Sequence, residues 1–367
     1  MLNVLMLGNG FDLYHKLLTD YDNFITIGTY LRKKHTFLTF ENFNVYSVLK
    51  EISKNNKSIR ESLLLYKEAY AKTNINCEEY GVFLELLNTN CWFQYFADRK
   101  ERDGWVALEI QIYELLKKIK KNDISDAEPF LQMIKEKNGC SDKAFKYIKS
   151  YTFSKQENDN ILFDEFEKFI NLLQLYLKIF VNNVLQHISQ SHCFENSFLN
   201  NSDVVISFNY TDTYKQLYSS NTDVVYIHGK LGGDIIVGIN SDECDNIGNN
   251  DLRFIKFKKY YQRITKHTFA GIRKLITHLK LTDSNKHLKV IGHSLDLADE
   301  DIITVIFDWF DIITIYYLDD QALDKYVKNL KQIFGAKTLS EMTFSQKIIF
   351  EKIPSNNYKK VTTNDQL

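Results

Sequence analysis

Four short polar motifs hold the residue types in this chain whose chemistry is easiest to name. Gly8-Asn9-Gly10-Phe11-Asp12 closes one apolar run, and Asn209-Tyr210-Thr211-Asp212, His228-Gly229 and Gly292-His293-Ser294-Leu295-Asp296 follow three others. An asparagine, a histidine and two glycine turns suffice to cleave an N-glycosidic bond in a dinucleotide. That reaction passes through an oxocarbenium-like transition state with a good leaving group, so it needs positioning more than a strong nucleophile. The glycine turns would hold a diphosphate, since glycine lets backbone approach closely and a helix start offers N–H groups. Asn209 would orient the ribose or a water, its amide donating and accepting at once. His228 would take a proton from a ribose hydroxyl or water, because imidazole titrates near neutrality.

Each motif also has a structural reading. Gly8 and Gly10 suit a tight strand-to-helix turn, Asn209 a turn or helix cap, and His228 a hydrogen-bonded place in the core. Asp12 caps the helix, binds ribose hydroxyls, or marks a place where no diphosphate sits, because a carboxylate repels phosphate. Ser294 is a phosphate contact or a loop hydroxyl. Asp299 reads as the cap of a helix from about Glu300 to Trp309. Glu109, a carboxylate on an otherwise apolar helix, reaches the crevice or is a satisfied structural acid. The basic run Lys256, Lys258, Lys259, Arg263 and Lys266 reads as a solvated helix face.

The motifs need elements that bring them together. Leu2 to Leu7, Val204 to Phe208, Val224 to Ile227, Ile235 to Val237, Leu288 to Ile291 and Ile312 to Tyr317 are short apolar runs, most of them rich in β-branched residues. Most stop at a glycine or polar residue, and helical stretches separate them, the pattern of a parallel α/β sheet. In such sheets ligands bind beyond the carboxyl ends of the strands, so the loop motifs converge on one crevice. From about residue 20 to 200 the spacing is helical instead. Trp105, Leu108, Ile112 and Leu115 form one stripe, and Phe163, Phe166, Phe169, Ile170, Leu173 and Leu177 form another. The expected organisation is an α/β domain from 1–24 plus 202–320, a helical insertion over 25–201, and a helical or tail segment over 321–367.

Composition narrows the class. The 367 residues are 44% hydrophobic and 14% aromatic, ample for a globular core, and the net charge of −1 steers the chain toward neither nucleic acid nor an anionic membrane. Cys77, Cys91, Cys140, Cys193 and Cys244 are scattered with no C-x-x-C pair, which reads as reduced thiols in a cytosol. No run reaches the roughly 18 apolar residues of a membrane span. The N-terminus lacks a basic leader region and reads as the first strand of a cytoplasmic protein. Leu13 stands where the dinucleotide fingerprint has its third glycine, which disfavours a dehydrogenase. There is no Walker A lysine motif, no second glycine for a nucleophile elbow at Ser294, and no metal spacing. His187 and His192 miss a shared i, i+4 face.

At these residues the chain resembles the AbiH family of bacterial phage abortive-infection proteins. The resemblance rests on Leu-Gly-Asn-Gly-Phe-Asp-Leu at the start, Ile-Ser-Phe-Asn-Tyr-Thr-Asp-Thr over 206–213, Ile-His-Gly over 227–229 and Gly-His-Ser-Leu-Asp over 292–296. Trp105-Val106-Ala107-Leu108-Glu109 and Phe257-Lys258 also fit the pattern. The same motif order is similar, more distantly, to sirtuin-like NAD-binding proteins of anti-phage systems. This implies a Rossmann-like, sirtuin-like parallel sheet with a large helical insertion. It also implies Asn209 and His228 as catalytic residues, with Gly8, Asn9, Gly10, Phe11, Asp12, Asp212, Gly229, Gly292, His293 and Ser294 around the nucleotide. Two departures stand out: Asp12 replaces a common serine, and the acidic partner of Asn209, Asp212, comes three residues on rather than two. The zinc ribbon of sirtuin deacylases is missing, which disfavours protein deacylation.

The resemblance therefore implies a cytoplasmic phage-defence protein that binds NAD+ and hydrolyses it at the nicotinamide-ribose bond on infection, without a metal. The alternative is a non-catalytic nucleotide-binding sensor whose helical insertion recognises a phage or host component. Neither reading involves a membrane, and nucleic acid is a poor fit. An effector held silent before infection also implies an activation step such as homo-oligomerisation.

Overall fold

The computed structural model describes residues 1–34, 43–73, 75–99, 104–121, 127–139, 158–188, 199, 202–240, 254–282 and 284–353. Cys140, Cys193, Cys244 and His192 lie outside them, as does the side chain of Trp105. Six strands form one sheet: β1 (Leu2–Leu7), β2 (Val204–Ser207), β3 (Asp223–Tyr226), β4 (Lys286–Ile291), β5 (Ile312–Tyr317) and β6 (Ile348–Lys352). Their spatial order is β3-β2-β1-β4-β5-β6 and every pairing is parallel. The chain winds outward in one direction through β2 and β3, then in the other through β5 and β6. The strand order therefore reverses between β1 and β4.

Central strands buried on both faces must be largely apolar, and β1 is so from Val4 to Leu7, with Asn3 half-buried near its start. Val4 and Met6 pack on one face with Ile206, Leu288, Val290, Ile313 and Ile315, covered by the Phe269–Leu281 and Glu300–Asp308 helices through Leu275, Leu279, Ile303 and Phe307. Leu5 and Leu7 point the opposite way, with Phe11, Val205, Tyr214, Ile291 and Tyr316, as strand alternation requires.

The helical part has its own core, built from residues between Leu17 and Leu185. Its aromatic centre places Trp92 5.0 Å from Phe166 and 5.7 Å from Phe257, ring to ring. Phe257 comes from the segment after β3, and Ile235, Val237 and Ile239 join the same core.

That placement corrects one expected strand. Ile235–Val237 is not part of the sheet: Ile235 makes an isolated antiparallel bridge to Gly229, and the Ile236 amide donates to the His228 carbonyl at 2.8 Å. The chain doubles back at the end of β3, so the apolar run is buried against the helices rather than beside a neighbouring strand. A second difference is β6, which pairs with β5 inside the stretch expected to be helix or tail. It is a half-exposed edge strand, with apolar residues only at Ile348, Ile349 and Phe350. Among the described residues, no helix is long and apolar enough to cross a membrane.

Candidate active site at the reversal of the sheet

A cavity of about 370 Å³ opens at the carboxyl ends of the strands. Residues from all six strand ends reach it: Gly8 after β1, Phe208 and Asn209 after β2, His228 after β3, Ile291 and Gly292 at β4, Tyr316 at β5, and Ile353 after β6. Of the twelve residues singled out in the sequence, ten line it: Gly8, Asn9, Gly10, Phe11, Asp12, Asn209, His228, Gly292, His293 and Ser294. Asp212 and Gly229 are not among the lining residues. The Asp212 carboxylate accepts from the Tyr226 hydroxyl and the Lys230 ammonium, and Gly229 is held by its bridge to Ile235.

The glycines at the reversal point fit each other. The Gly10 amide donates to the Gly292 carbonyl at 2.7 Å, and the Phe11 amide donates to the Gly8 carbonyl at 2.9 Å. A methyl group on Gly8 would lie 2.5 Å from His293 Cα, and one on Gly10 2.7 Å from the Gly292 oxygen. At Gly292, where φ is 66°, it would lie 2.2 Å from the Phe11 nitrogen. Packing of the β4 loop against the β1 turn thus accounts for these glycines without any ligand. Gly292→Ala combines a left-handed backbone with a backbone clash, and is expected to cost about 2–5 kcal/mol. Denaturant unfolding checks this, and an unchanged midpoint would contradict the packing.

A buried chain of charges forms one wall. Lys259 extends from the Lys259–Thr265 helix between two carboxylates, 2.6 Å from Glu109 Oε1 and 2.9 Å from Asp299 Oδ1. Asp299 Oδ1 lies 3.0 Å from His228 Nε2, out of line for a strong hydrogen bond, and Oδ2 lies 3.6 Å from His293 Nε2. The Leu295 amide donates to His293 Nδ1 at 3.0 Å, which assigns the proton of a neutral His293 ring to Nε2, toward Asp299.

The protonation states follow from burial and neighbours. Burial pushes the His228 pKa down to about 4 against the pull of Asp299, so the ring is neutral at physiological pH. Burial alone would raise Asp299, but Lys259 and then His228 hold it well below the usual carboxylate range. Burial raises Glu109, Lys259 offsets part of that, and the Asp299 charge raises it further. Burial would lower Lys259, yet Asp299 and Glu109 outweigh it and keep the ammonium charged. Two carboxylates with pKa values pushed apart, beside a neutral imidazole, are the makings of acid–base chemistry.

Two expectations change here, and one open alternative is decided. Asp299 does precede the Glu300–Asp308 helix, but its side chain makes no cap hydrogen bond and turns to Lys259 and His228 instead. Lys258, Lys259 and Arg263 are buried rather than solvated, and the Arg263 guanidinium donates to Asp301. Glu109 does reach the cavity. Spacing separates Lys259 from no other lysine in its run, so a single sequence holds no signal for its role.

The opposite wall holds Asp12. Its Oδ2 accepts from the Thr211 hydroxyl at 2.5 Å, and Thr213 donates to the Thr211 oxygen at 3.0 Å. The Asn209 amide nitrogen donates to the Gly8 carbonyl at 3.0 Å. Burial raises the Asp12 pKa to about 6, against the lowering effects of Thr211, Thr213 and Asn209. A folded pKa above the unfolded 3.8 means the proton stabilises the fold at low pH, a contribution lost as pH rises through 6. Asp12→Asn escapes that loss. Its stability advantage over the native chain is expected to be on the order of 3 kcal/mol at pH 7.5, vanishing below about pH 4. Melting temperatures of both proteins across that range check the sign.

Fold and crevice define a parallel α/β protein with a buried, charged cavity where its strand order reverses. The family described as "Bacteriophage abortive infection AbiH" matches residues 4–317, and the chain belongs to it. Membership carries a role in abortive infection of phage. No curated protein and no solved structure matches the chain. Among the described residues, no group of three or more His, Cys, Asp or Glu side chains is placed to hold a metal ion.

Proposed function

We propose that this AbiH protein hydrolyses NAD+ at the nicotinamide-ribose bond in the cytoplasm of infected cells, on a Rossmann-like, sirtuin-like scaffold. The observation that carries the reading is the meeting of Asn209 and neutral His228 in one buried cavity at the reversal of the sheet, with ionised Asp299 beside the imidazole. The strand order 3-2-1-4-5-6 is that of dinucleotide-binding sheets, whose ligands lie at this point.

The chemistry asks little of the protein beyond placement. The C1′–N bond breaks with its electron pair moving to the pyridinium nitrogen, which leaves neutral and needs no acid. Water adds at C1′, and its proton passes to His228 Nδ1, an atom with no partner among the described residues. Asp299, 3.0 Å from Nε2, stabilises the imidazolium that forms. Asn209 orients the sugar or the water. The amides of Gly10 and Phe11 are already engaged, so the diphosphate is assigned to Ser294 and to Lys325, at the cavity rim. Glu109 and Leu177 bring the helical part to the cavity wall, which supports a trigger being sensed there.

The test is cellular NAD+ after phage challenge, in cells making the native chain, Asn209→Ala or His228→Ala. Collapse with the native chain alone is expected. Steady NAD+ with protection intact would overturn hydrolysis in favour of a nucleotide-binding sensor.

A further inference from the structure

Two residues lining the cavity each carry a buried oxygen that meets no donor of good geometry among the described residues. Asp12 Oδ1 and Asn209 Oδ1 are both buried and without a hydrogen-bond partner among the described residues, and both residues line the cavity. Their roles as acceptors are fixed by what surrounds them. The Gly8 carbonyl can only accept, so the Asn209 nitrogen must face it and the amide oxygen must face away. Thr211 spends its proton on Asp12 Oδ2 and takes one from Thr213, leaving none for Oδ1. Asn209 and the Phe11 amide both donate to the Gly8 carbonyl, and Thr211, two residues after Asn209, donates to Asp12, so the two acceptors belong to one patch.

Leaving two buried acceptors unpaired is costly, and a bound group is expected to satisfy them. A phosphate cannot, because it would set charge against the carboxylate. An apolar group cannot, because it donates nothing. The same cavity is also lined by apolar side chains, among them Phe11, Phe208 and Ile291. The group that fits is neutral, compact and partly apolar, with two adjacent O–H donors.

We infer that Asp12 and Asn209 form a subsite for the vicinal diol of a ribose, each oxygen taking one hydroxyl proton. The inference rests on the nucleotide reading above and adds to it the sugar contact and the role of the aspartate. Ribonucleotides are then preferred over deoxy counterparts by Asp12, whose partnered oxygen stays on Thr211 while the other reads the sugar.

Binding, not turnover, tests it. The probes are ADP-ribose, which has no nicotinamide bond left to hydrolyse, and its analogue lacking both hydroxyls on the terminal ribose, titrated by calorimetry. The native chain is expected to bind ADP-ribose about 10- to 100-fold more tightly than the analogue. Asp12→Asn keeps the shape and the Thr211 bond but puts an N–H where the bare oxygen stood. It is expected to lose most of that preference while its melting temperature is kept or raised. Equal binding of the two probes by the native chain, or no binding of ADP-ribose, would overturn the subsite. The native comparison needs no variant to fold. NAD+ consumption is followed separately: diol-dependent binding without consumption keeps the subsite and removes the hydrolase.

Discussion

Lys259→Met is expected to destabilise the protein by about 3–5 kcal/mol, the cost of breaking a buried ion pair by removing one partner. The methionine fills much the same volume, so the loss is electrostatic rather than steric. Lys259 is 2% exposed and sits between Glu109 and Asp299, with the Ala298 carbonyl also accepting at 3.3 Å. Without the ammonium, two carboxylates share a cavity with no cation between them. Glu109 meets that by taking a proton, since burial and Asp299 already push it toward the neutral form. Asp299 starts from the lower pKa and loses the cation that does most to hold it there, so it bears the larger share of the cost. Adding Glu109→Gln to Lys259→Met is therefore expected to restore only part of the stability, while Asp299→Asn restores more. Denaturant unfolding of the three proteins reads the difference, and equal rescue by either partner would contradict this division.

Asp299→Asn alone is expected to leave a folded protein in which the proposed NAD+ hydrolysis is lost by about 10²–10⁴-fold. Lys259 keeps Glu109 as its counterion, so the stability cost is smaller than that of Lys259→Met. What disappears is the charge that supports a protonated His228. The imidazole is neutral down to about pH 4 because burial disfavours its cation. It can accept a proton only if a nearby anion compensates, and Asp299 at 3.0 Å is placed to do so. Rate against pH for the purified protein, with melting temperature as a control, separates lost chemistry from lost fold. A variant that folds and turns over normally would remove Asp299 from the mechanism.

Much of this arrangement can be read from the chain because local patterns dictate it. The apolar runs of β1, β2, β3 and β4 each end at a polar or glycine motif, and a parallel sheet gathers those ends into one place. Asn209, His228 and the two glycine turns follow directly. Lys259 and Asp299 do not, since their partners lie far off in sequence: β2 and β3 separate Glu109 from Lys259, and two helices and β4 separate His228 from Asp299. A basic run and a helix cap are what their neighbours suggest; only the tertiary fold turns them inward. Ile235–Val237 fails for the opposite reason. Its pattern is that of a buried strand, and buried it is, but within the helical core that also holds Trp92 and Phe257 rather than beside a strand. Apolar periodicity reports burial and leaves the neighbour open.

The shared core has a practical consequence for anyone wishing to trim the protein. Cutting out the helices would bare Ile235, Val237, Ile239 and Phe257, a sticky face with nothing left to cover it. It would also strip Lys259 of one of its two counterions. A stable fragment holding the cavity is not expected from a cut between the sheet and the helices, and deletions in the helical part will report aggregation before they report specificity.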